Sequence, residues 1–444
     1  MRVAERPTFS DLSAMDEDLF EQLARPCRVS RSARPKVQKV AYPLRNRKDF
    51  TKHCCPRMLS LGPIHHGESH LELGERYKLM WASMYVQEDR ERARYLHGKI
   101  AENIEELQNL YTEDAIGPFN DQQLVRMLFL DGCALLQILK HPADPERLNA
   151  KVDQLVLVHR DALLLENQLP FRVLQLLSDV PDPELLKDMH EFLRYHHLSR
   201  GKRGQNRAEG DSHHQCVIDV TVPAPAHLLD LLRNVVAGLP PAQEKRVVQS
   251  GTTTVQSGTT TYRNLKELTA AGIEVKRSES ECPFHITFSP RCLCGELRVP
   301  GLVVDGTTAS TFLNLMAYEA CPDFENNYEI SSYVEFLDSL IDHPDDVKVL
   351  RKAQVLHNAL GSDEEVAELF NNISTDVVPN AAIYESLRRD IEKHYRQKHK
   401  TWFALAKTKY FSNPWSFIAL IAACVGLLLV SFQTYFTVFP RRSS

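Results

Sequence analysis

Apolar residues spaced three or four positions apart, with charged residues between them, recur along most of the chain. This spacing puts the apolar side chains on one face of a helix and predicts amphipathic helices that bury that face. We predict a long helix-rich stretch over 72–110 and two more apolar stretches over 124–139 and 152–177, the last interrupted by Pro170. The last two are too apolar to be surface helices.

The pattern changes briefly before residue 305 and then returns to helix. Short alternating runs within 273–286, 285–288 and 296–304 predict three short strands that could pair as a meander, with Pro290 and Gly295 between the last two. After them, helical spacing predicts helices over 311–320, 330–341, 345–356, 363–373 and 384–410. Ser362 and the acidic residues after it are typical of a capped helix start.

The C-terminal end carries the most distinctive pattern. Pro414 and Trp415 precede a nearly uninterrupted apolar run from Phe417 to Val430, which extends to Phe439. That length suits one membrane-spanning helix of about 20 residues. Lys and Arg residues are more frequent before the run than after it, which predicts a cytosolic N-terminal part. The alternative is a soluble scaffold whose C-terminal helix packs into its own core.

We therefore predict a mainly α fold class: a multi-helix globular domain with a small β insertion, plus one C-terminal transmembrane helix. Its parts are a flexible leader without a signal peptide (1–36), the helical domain (37–412), the anchor (413–440) and a short tail (441–444). A Gly, Arg and Lys-rich stretch near 200–215 and a tandem seven-residue repeat near 245–262 predict variable loops within the domain.

Composition narrows the function classes. The chain has 444 residues, 43% hydrophobic and 25% charged, which suffices for a large core. A formal net charge of -5 argues against nucleic acid as a partner, because phosphate binding needs a concentrated basic face. The cysteines follow no regular framework and are expected to be free thiols. Cys282, Cys292, Cys294 and His285 do not have typical zinc-ligand spacing, so we expect no metal and no cofactor.

Candidate chemistry centres on Glu166, Asn167 and Gln168, which interrupt an apolar stretch. Such groups either face a cleft or are hydrogen-bonded inside the core, and we expect the core network. The histidine pairs at 65–66, 196–197 and 213–214 are poor single-metal sites because adjacent side chains point apart. Cys133 lies among apolar residues and is expected to pack as a small hydrophobe. No familiar catalytic motif is present in the sequence.

Several segments, in order, resemble the plant family known as domain of unknown function 247, over about residues 37–439. The segments that carry the resemblance are Gly62-Pro63-Ile-His65-His66-Gly67, Asp131-Gly132-Cys133, Asp161 to Pro170 with Glu166-Asn167-Gln168, His227 to Leu232, Asn314 to Tyr318-Glu319, Ser332 to Asp338, Asp345-Asp346 and Asn413-Pro414-Trp415. Two departures lie in the first block, where Cys54-Cys55-Pro56 and Leu73 to Lys78 differ from the family pattern.

The resemblance implies a plant protein, in most cases with one C-terminal membrane segment and without a known activity. Some grass members of the family resemble self-incompatibility determinants, but the resemblance does not assign that role here. We expect a noncatalytic, single-pass membrane protein, anchored in lipid by its tail, that acts in recognition or signalling through an unidentified protein partner. The alternatives are an enzyme with an unrecognised site around Glu166 and a soluble scaffold.

Overall fold

A long buried helix, α7 (Asp121–Lys140), organises the first half of the molecule in this computed structural model. The Asn120 side chain accepts from the Gln123 amide and Gln123 reciprocates, which forms a capping box at the helix start. The helix then packs against five other helices, α3 (Glu72–Tyr85), α4 (Arg90–Glu102), α5 (Ile104–Gln108), α9 (Phe171–Leu177) and α10 (Asp182–Arg194). The helix predicted over 124–139 is confirmed as a core helix.

The structure describes residues 20, 35–195, 224–237, 263–280, 284–291, 294–375, 378–396 and 414–438. The predicted loops 200–215 and 245–262 and most of the predicted leader lie outside these residues, as do the histidine pairs at 196–197 and 213–214. The first half also contains α1 (Tyr42–Arg45), α2 (Phe50–Cys54), a 3-10 turn (Ser69–Leu71), α6 (Glu113–Ile116) and α8 (Val152–Asp161).

A second buried helix, α13 (Thr308–Glu319), organises the C-terminal half, and every one of its residues is buried. It packs against α2, against α11 (Leu228–Ala237) and against α14 (Glu329–Leu340) and α16 (Asp363–Ile373). The other helices here are α12 (Leu265–Ala270), α15 (Pro344–Lys352) and α17 (Glu385–Tyr395). Apolar residues of both halves form one continuous core.

The small β insertion is present, but its pairing is not the predicted meander. The strands are β1 (Ile273–Arg277), β2 (Thr287–Pro290), β3 (Gly295–Val299), β4 (Leu302–Val304) and β5 (Leu356–Asn358). β3 lies in the middle of a three-stranded sheet, parallel to β1 and antiparallel to β2. β4 pairs in parallel with β5 in a separate sheet. Local alternation predicts strands, whereas long-range packing selects their partners.

Two predicted helix boundaries are wrong for local reasons. The stretch 152–177 forms α8 and α9, and residues 162–170 between them are not helical. The helix predicted over 345–356 ends at Lys352, because Gln354 takes a left-handed conformation with φ 56° and Leu356 enters β5. The helix predicted over 384–410 is seen as α17, and residues 397–410 lie outside the described part of the chain.

The predicted transmembrane helix is not confirmed. A C-terminal helix, α18 (Pro414–Val438), occupies the expected place, but the apolar helix that can be assessed there is Ile421–Tyr435. This apolar helix is shorter than the length of about 20 residues that a helix needs to span a bilayer. Within the described residues, α7 is the helix whose length and composition would allow a span, and most of it is buried in the core.

The side chains of α18 also fail to support the soluble-scaffold alternative. Ile418, Ile421, Val425 and the run 427–430 are exposed, although burial of this helix in the protein core was what that alternative required. Phe417 is among the residues of α18 whose side chains are not described, and Phe439 lies beyond the described part of the chain.

Candidate functional site

A nonhelical segment at residues 57–62 crosses the interior and has its amides bonded by buried side chains. Asp161, at the end of α8, accepts hydrogen bonds through Oδ2 from the amides of Arg57, Met58 and Leu59, at 2.9, 2.7 and 3.0 Å. Its other oxygen, Oδ1, accepts from Arg160 Nη1 at 2.9 Å. Three consecutive amides thus converge on one carboxylate oxygen, which satisfies them without a partner strand.

Asn167 and Asp131 complete this arrangement. Asn167 Oδ1 accepts from the Leu61 amide at 2.7 Å, while Nδ2 donates to the carbonyls of Leu59 and Asp161 at 2.8 and 2.9 Å. Asp131 Oδ2 accepts from the Gly62 amide at 2.8 Å. Asn167 and Asp131 have no exposed surface, so an unpaired amide here would be costly. The predicted core network is present around Asn167.

Gly62 and Gly67 bound the turn that carries Pro63, His65 and His66. Both glycines have a positive φ, 71° and 84°, which favours glycine over other residues. A side-chain carbon on Gly62 would also lie 3.2 Å from the Gln168 carbonyl oxygen. The turn predicted at 62–67 is confirmed, and the Gly62 position is packed directly against the Glu166–Gln168 region.

Lys78 lies at the centre of the same network, although the sequence alone did not single it out. Its ammonium donates to Asp131 Oδ1 at 2.7 Å and to the Ser60 carbonyl at 2.9 Å, and it pairs with Glu75 Oε1 at 2.7 Å. Burial works to lower the pKa of Lys78, but Asp131 and Glu75 outweigh it and raise the pKa. Two sequence features could have indicated this pair: Lys78 lies among the apolar positions of α3, and Asp131 lies in the apolar interior of α7.

Glu166 connects the N-terminal segment to the turn. Its Oε1 accepts from the Val40 amide at 2.7 Å and from the Arg45 guanidinium, and Oε2 lies 3.3 Å from His65 Nε2. This last contact has ion-pair distance but not hydrogen-bond directionality, since Nε2 has no partner of good geometry. His65 Nδ1 is 2.7 Å from Glu68 Oε1. The imidazole therefore stands between two carboxylates.

The electrostatics of this pair follow from those contacts. Burial works to raise the pKa of Glu166, but His65, the Val40 amide and Arg45 outweigh it and hold the pKa below its ordinary value. Burial likewise works to lower the pKa of His65, but Glu166 and Glu68 raise it above 6.5. Glu166 is thus a paired carboxylate in this structure.

Gln168 explains why the chain leaves the helix before Pro170. Its Nε2 donates to the carbonyls of Ala162 and Leu164 at 2.9 and 2.7 Å, and its Oε1 accepts from the Leu229 amide at 3.0 Å. These bonds replace main-chain helix bonds after α8 and fasten α11 to the connection. Pro170 lies directly before α9, at the start of a helix. Proline is tolerated there because the main-chain N–H that it lacks would have no partner within the helix.

Gly132 and Cys133 have packing positions in α7. A side-chain carbon on Gly132 would come within 2.5 Å of Leu177 Cδ1, so the glycine lets α7 and α9 approach closely. Cys133 is fully buried, and burial raises the pKa of its thiol to about 12. A thiol with that pKa is not a nucleophile at neutral pH. The expectation that Cys133 packs as a small hydrophobe is consistent with this.

The remaining predicted residues lie in other elements and do not join this network. Glu319 ends α13 and accepts from the amides of Ile330 and Ser331 at 3.0 and 2.9 Å, which caps α14. Tyr318 stacks on Phe324 with ring centroids 4.3 Å apart. Asp346 accepts from the Lys266 amide at 2.8 Å and the His343 amide at 3.0 Å. Pro414 and Trp415 begin α18.

The part of the chain that the structure describes holds no group of three or more His, Cys, Asp or Glu side chains arranged to bind a metal. Two members of the candidate zinc set, Cys282 and Cys292, lie outside that part. His66 does not join His65 in a common site, because its ring packs edge-on against Phe119 with centroids 5.6 Å apart. The arrangement around Glu166 holds backbone amides and ion pairs together.

Comparison with known proteins places these residues in a family context. A family model described as a plant protein of unknown function matches residues 37–429. The chain is 26% identical over 410 residues to the UPF0481 protein At3g47200 of Arabidopsis thaliana, a match that covers 85% of this chain and 81% of that protein. It is 28% identical over 180 residues to the putative UPF0481 protein At3g02645 of the same plant, covering 40% of this chain and 34% of the relative.

No solved structure matches the chain. The family model, in contrast, spans the turn at 62–67, the buried network and the C-terminal half through most of α18. The chain therefore belongs to this plant protein family of unknown function.

Proposed function

We propose that the protein is a noncatalytic recognition or signalling protein, held at a membrane by α18 with its helical domain in the cytosol, which acts through a protein partner. The observation that carries the proposal is the exposed apolar surface of α18. Leu427, Leu428, Leu429, Val430 and Phe432 are each at least 59% exposed, and such a continuous apolar surface needs lipid or protein to cover it.

Charge distribution supports the cytosolic orientation. Every charged residue after Glu392 is a lysine or an arginine, and most of them precede Pro414. Basic residues beside a membrane segment stay preferentially on the cytosolic side. The short sequence after Phe439 would be the part that crosses.

The noncatalytic assignment rests on how the Glu166 network is used. Asp131, Asp161 and Asn167 each bond main-chain amides, and Glu166 bonds the Val40 amide and Arg45. A catalytic acid or base needs a polar atom that can reach a substrate proton. These side chains instead use their polar atoms to hold the chain. The enzyme alternative would require a substrate to displace one of those bonds.

The first experiment compares the full chain with a version that ends at Ser412, each tagged at the N-terminus and expressed in plant cells. We expect the full chain to resist carbonate extraction from membranes and the shortened chain to be released, because the truncation removes the apolar helix α18 and leaves the helical domain intact. Retention of both proteins in the carbonate-washed membrane would refute the anchor. Recovery of both in the soluble fraction would favour the scaffold.

A glycosylation acceptor sequence in the helical domain can test the proposed membrane topology. Asn372-Ile-Ser374 is an acceptor sequence for N-glycosylation, and Asn372 and its neighbour Asn371 are exposed at the end of α16. A cytosolic domain leaves Asn372 unmodified and its tag open to protease on intact vesicles. A glycosidase-sensitive mass shift that disappears in Asn372→Gln, together with a protected tag, would reverse the proposed orientation.

A further inference from the structure

His65 lies in a continuous chain of charged groups that joins two separate pieces of backbone. Its Nδ1 is 2.7 Å from Glu68 Oε1 and its Nε2 is 3.3 Å from Glu166 Oε2. Glu166 continues the chain to Arg45 in α1 and to the Val40 amide. The turn at 62–67 and the segment at 40–45 are therefore connected through one imidazole and one buried carboxylate.

We propose that this chain, formed by Arg45, Glu166, His65 and Glu68, is a pH switch that orders segment 40–45 and the turn at 62–67 and loosens both as the pH rises. The reason lies in the proton count of imidazole. Only the doubly protonated ring carries a positive charge, which pairs with Glu166 across the 3.3 Å contact while Nδ1 bonds Glu68. When one proton leaves, that charge is lost and the buried Glu166 loses its ion pair with the ring.

Burial makes that loss consequential. His65 is 5% exposed and Glu166 is 2% exposed, so water cannot fully replace the lost ion pair between them. Glu68 is exposed and can turn to solvent. The charged groups that act on His65 directly are Glu166 and Glu68. The titratable and charged groups around these two carboxylates are Arg45 beside Glu166, His70 beside Glu68, and Cys55, which interacts with both.

The direction of the pH effect follows from these neighbours. Glu166 and Glu68 raise the pKa of His65 above its ordinary value of 6.5 against the effect of burial. A group whose pKa is raised on folding stabilises the folded state fully below its unfolded pKa. That contribution is lost as the pH rises through the folded-state pKa. Segment 40–45 and the turn at 62–67 should therefore loosen at a pH above 6.5.

An internal reference lies just before the switch. The Val37 amide donates to the Leu110 carbonyl at 2.9 Å, and the Thr112 amide donates to the Val37 carbonyl at 3.1 Å. Neither bond involves a titratable group. Segment 40–45 should therefore change its protection with pH while residue 37 and its partners do not.

The test is hydrogen–deuterium exchange of the full chain in detergent micelles from pH 5.5 to 9, read by mass spectrometry. Exchange at the imidazole C2 position gives the pKa of His65. Backbone exchange, corrected for its intrinsic pH dependence, gives the protection of 40–45 and 62–67. We expect a His65 pKa above 6.5 and a loss of protection in both segments through that same pKa, with unchanged protection at residue 37.

Variants separate the switch from general destabilisation. Glu68→Gln keeps the size of an exposed side chain and should lower the His65 pKa by about 1 unit or more, moving the loss of protection to lower pH by the same amount. His70→Gln is the matched control, since His70 Nδ1 lies 3.6 Å from the other Glu68 oxygen and is exposed. It should shift the His65 pKa much less.

Two results would overturn the proposal. One is a His65 pKa at or below 6.5 in the full chain. The other is a loss of protection in 40–45 that keeps its midpoint in Glu68→Gln. Because both outcomes are measured in the unmodified chain and in a surface variant, the test does not depend on whether a His65 replacement folds.

Discussion

Buried polar side chains in this protein repeatedly bond to the main chain as well as to one another. Asp161 takes three amides, Asn167 takes one amide and two carbonyls, and Gln168 bonds carbonyls of its own connection. A buried amide that loses such a partner costs about 1–3 kcal/mol. These residues therefore specify the path of segment 57–62, and the adjoining Gly62 is part of that path.

Replacing Gly62 with alanine tests this at the residue scale. Gly62 has φ 71°, and an added carbon would lie 3.2 Å from the Gln168 carbonyl oxygen. We expect Gly62→Ala to lower the free energy of unfolding by about 1–3 kcal/mol, measured as a lower urea midpoint. Gly98→Ala is the control, because Gly98 lies inside α4 with no atom within 4 Å of an added carbon. It should stabilise by about 0.5–1 kcal/mol. An equal effect of both changes would contradict this account.

At the scale of elements, helix ends are held by side chains from neighbouring helices. Glu319 of α13 caps the start of α14, and Asp346 bonds the amide of Lys266 in α12 as well as the start of its own helix. Arg47 donates to the carbonyls of Asn372 and Thr375 at the end of α16. Each such contact satisfies end groups and also fixes the position of one helix against another.

Glu319→Ala should therefore destabilise more than an ordinary surface change. Removing the carboxylate leaves the amides of Ile330 and Ser331 without acceptors, which we expect to lower the free energy of unfolding by about 1–3 kcal/mol. Thermal and urea unfolding of the full chain measure it. Glu102→Ala, at the exposed end of α4, should stay within about 0.5 kcal/mol of the parent. If Glu319→Ala behaved like Glu102→Ala, the cap would have no energetic role.

For the whole molecule, the two halves share one core while α18 presents apolar side chains outward. Val152 and Val156, one turn apart on α8, are also exposed, but this pair covers a single turn and not the length of a helix. Substitutions at the two places can therefore distinguish insertion of α18 into a membrane from nonspecific association through exposed apolar residues.

Leu427→Arg places a charge near the middle of α18 and Val156→Arg places one on the folded domain. A central arginine costs about 2.5–3.5 kcal/mol for insertion, so Leu427→Arg should lose most of its carbonate-resistant membrane fraction. Val156→Arg should keep the parent value. The membrane fraction is measured by immunoblot against an integral marker. An unchanged fraction for Leu427→Arg would argue against insertion of α18.

The sequence by itself determined the mainly α class, the existence of α7, α14 and α16, the turn at 62–67 and the family, because helical spacing, caps and glycines act locally. It also placed Glu166, Asn167 and Gln168 in a core network. Only the tertiary structure decided that these three lie in a nonhelical connection, that β3 is central, and that Lys78 and Asp161 belong to the network. The physical reason is that partners distant in the sequence satisfy buried polar groups and strand edges, and local patterns carry no record of those partners.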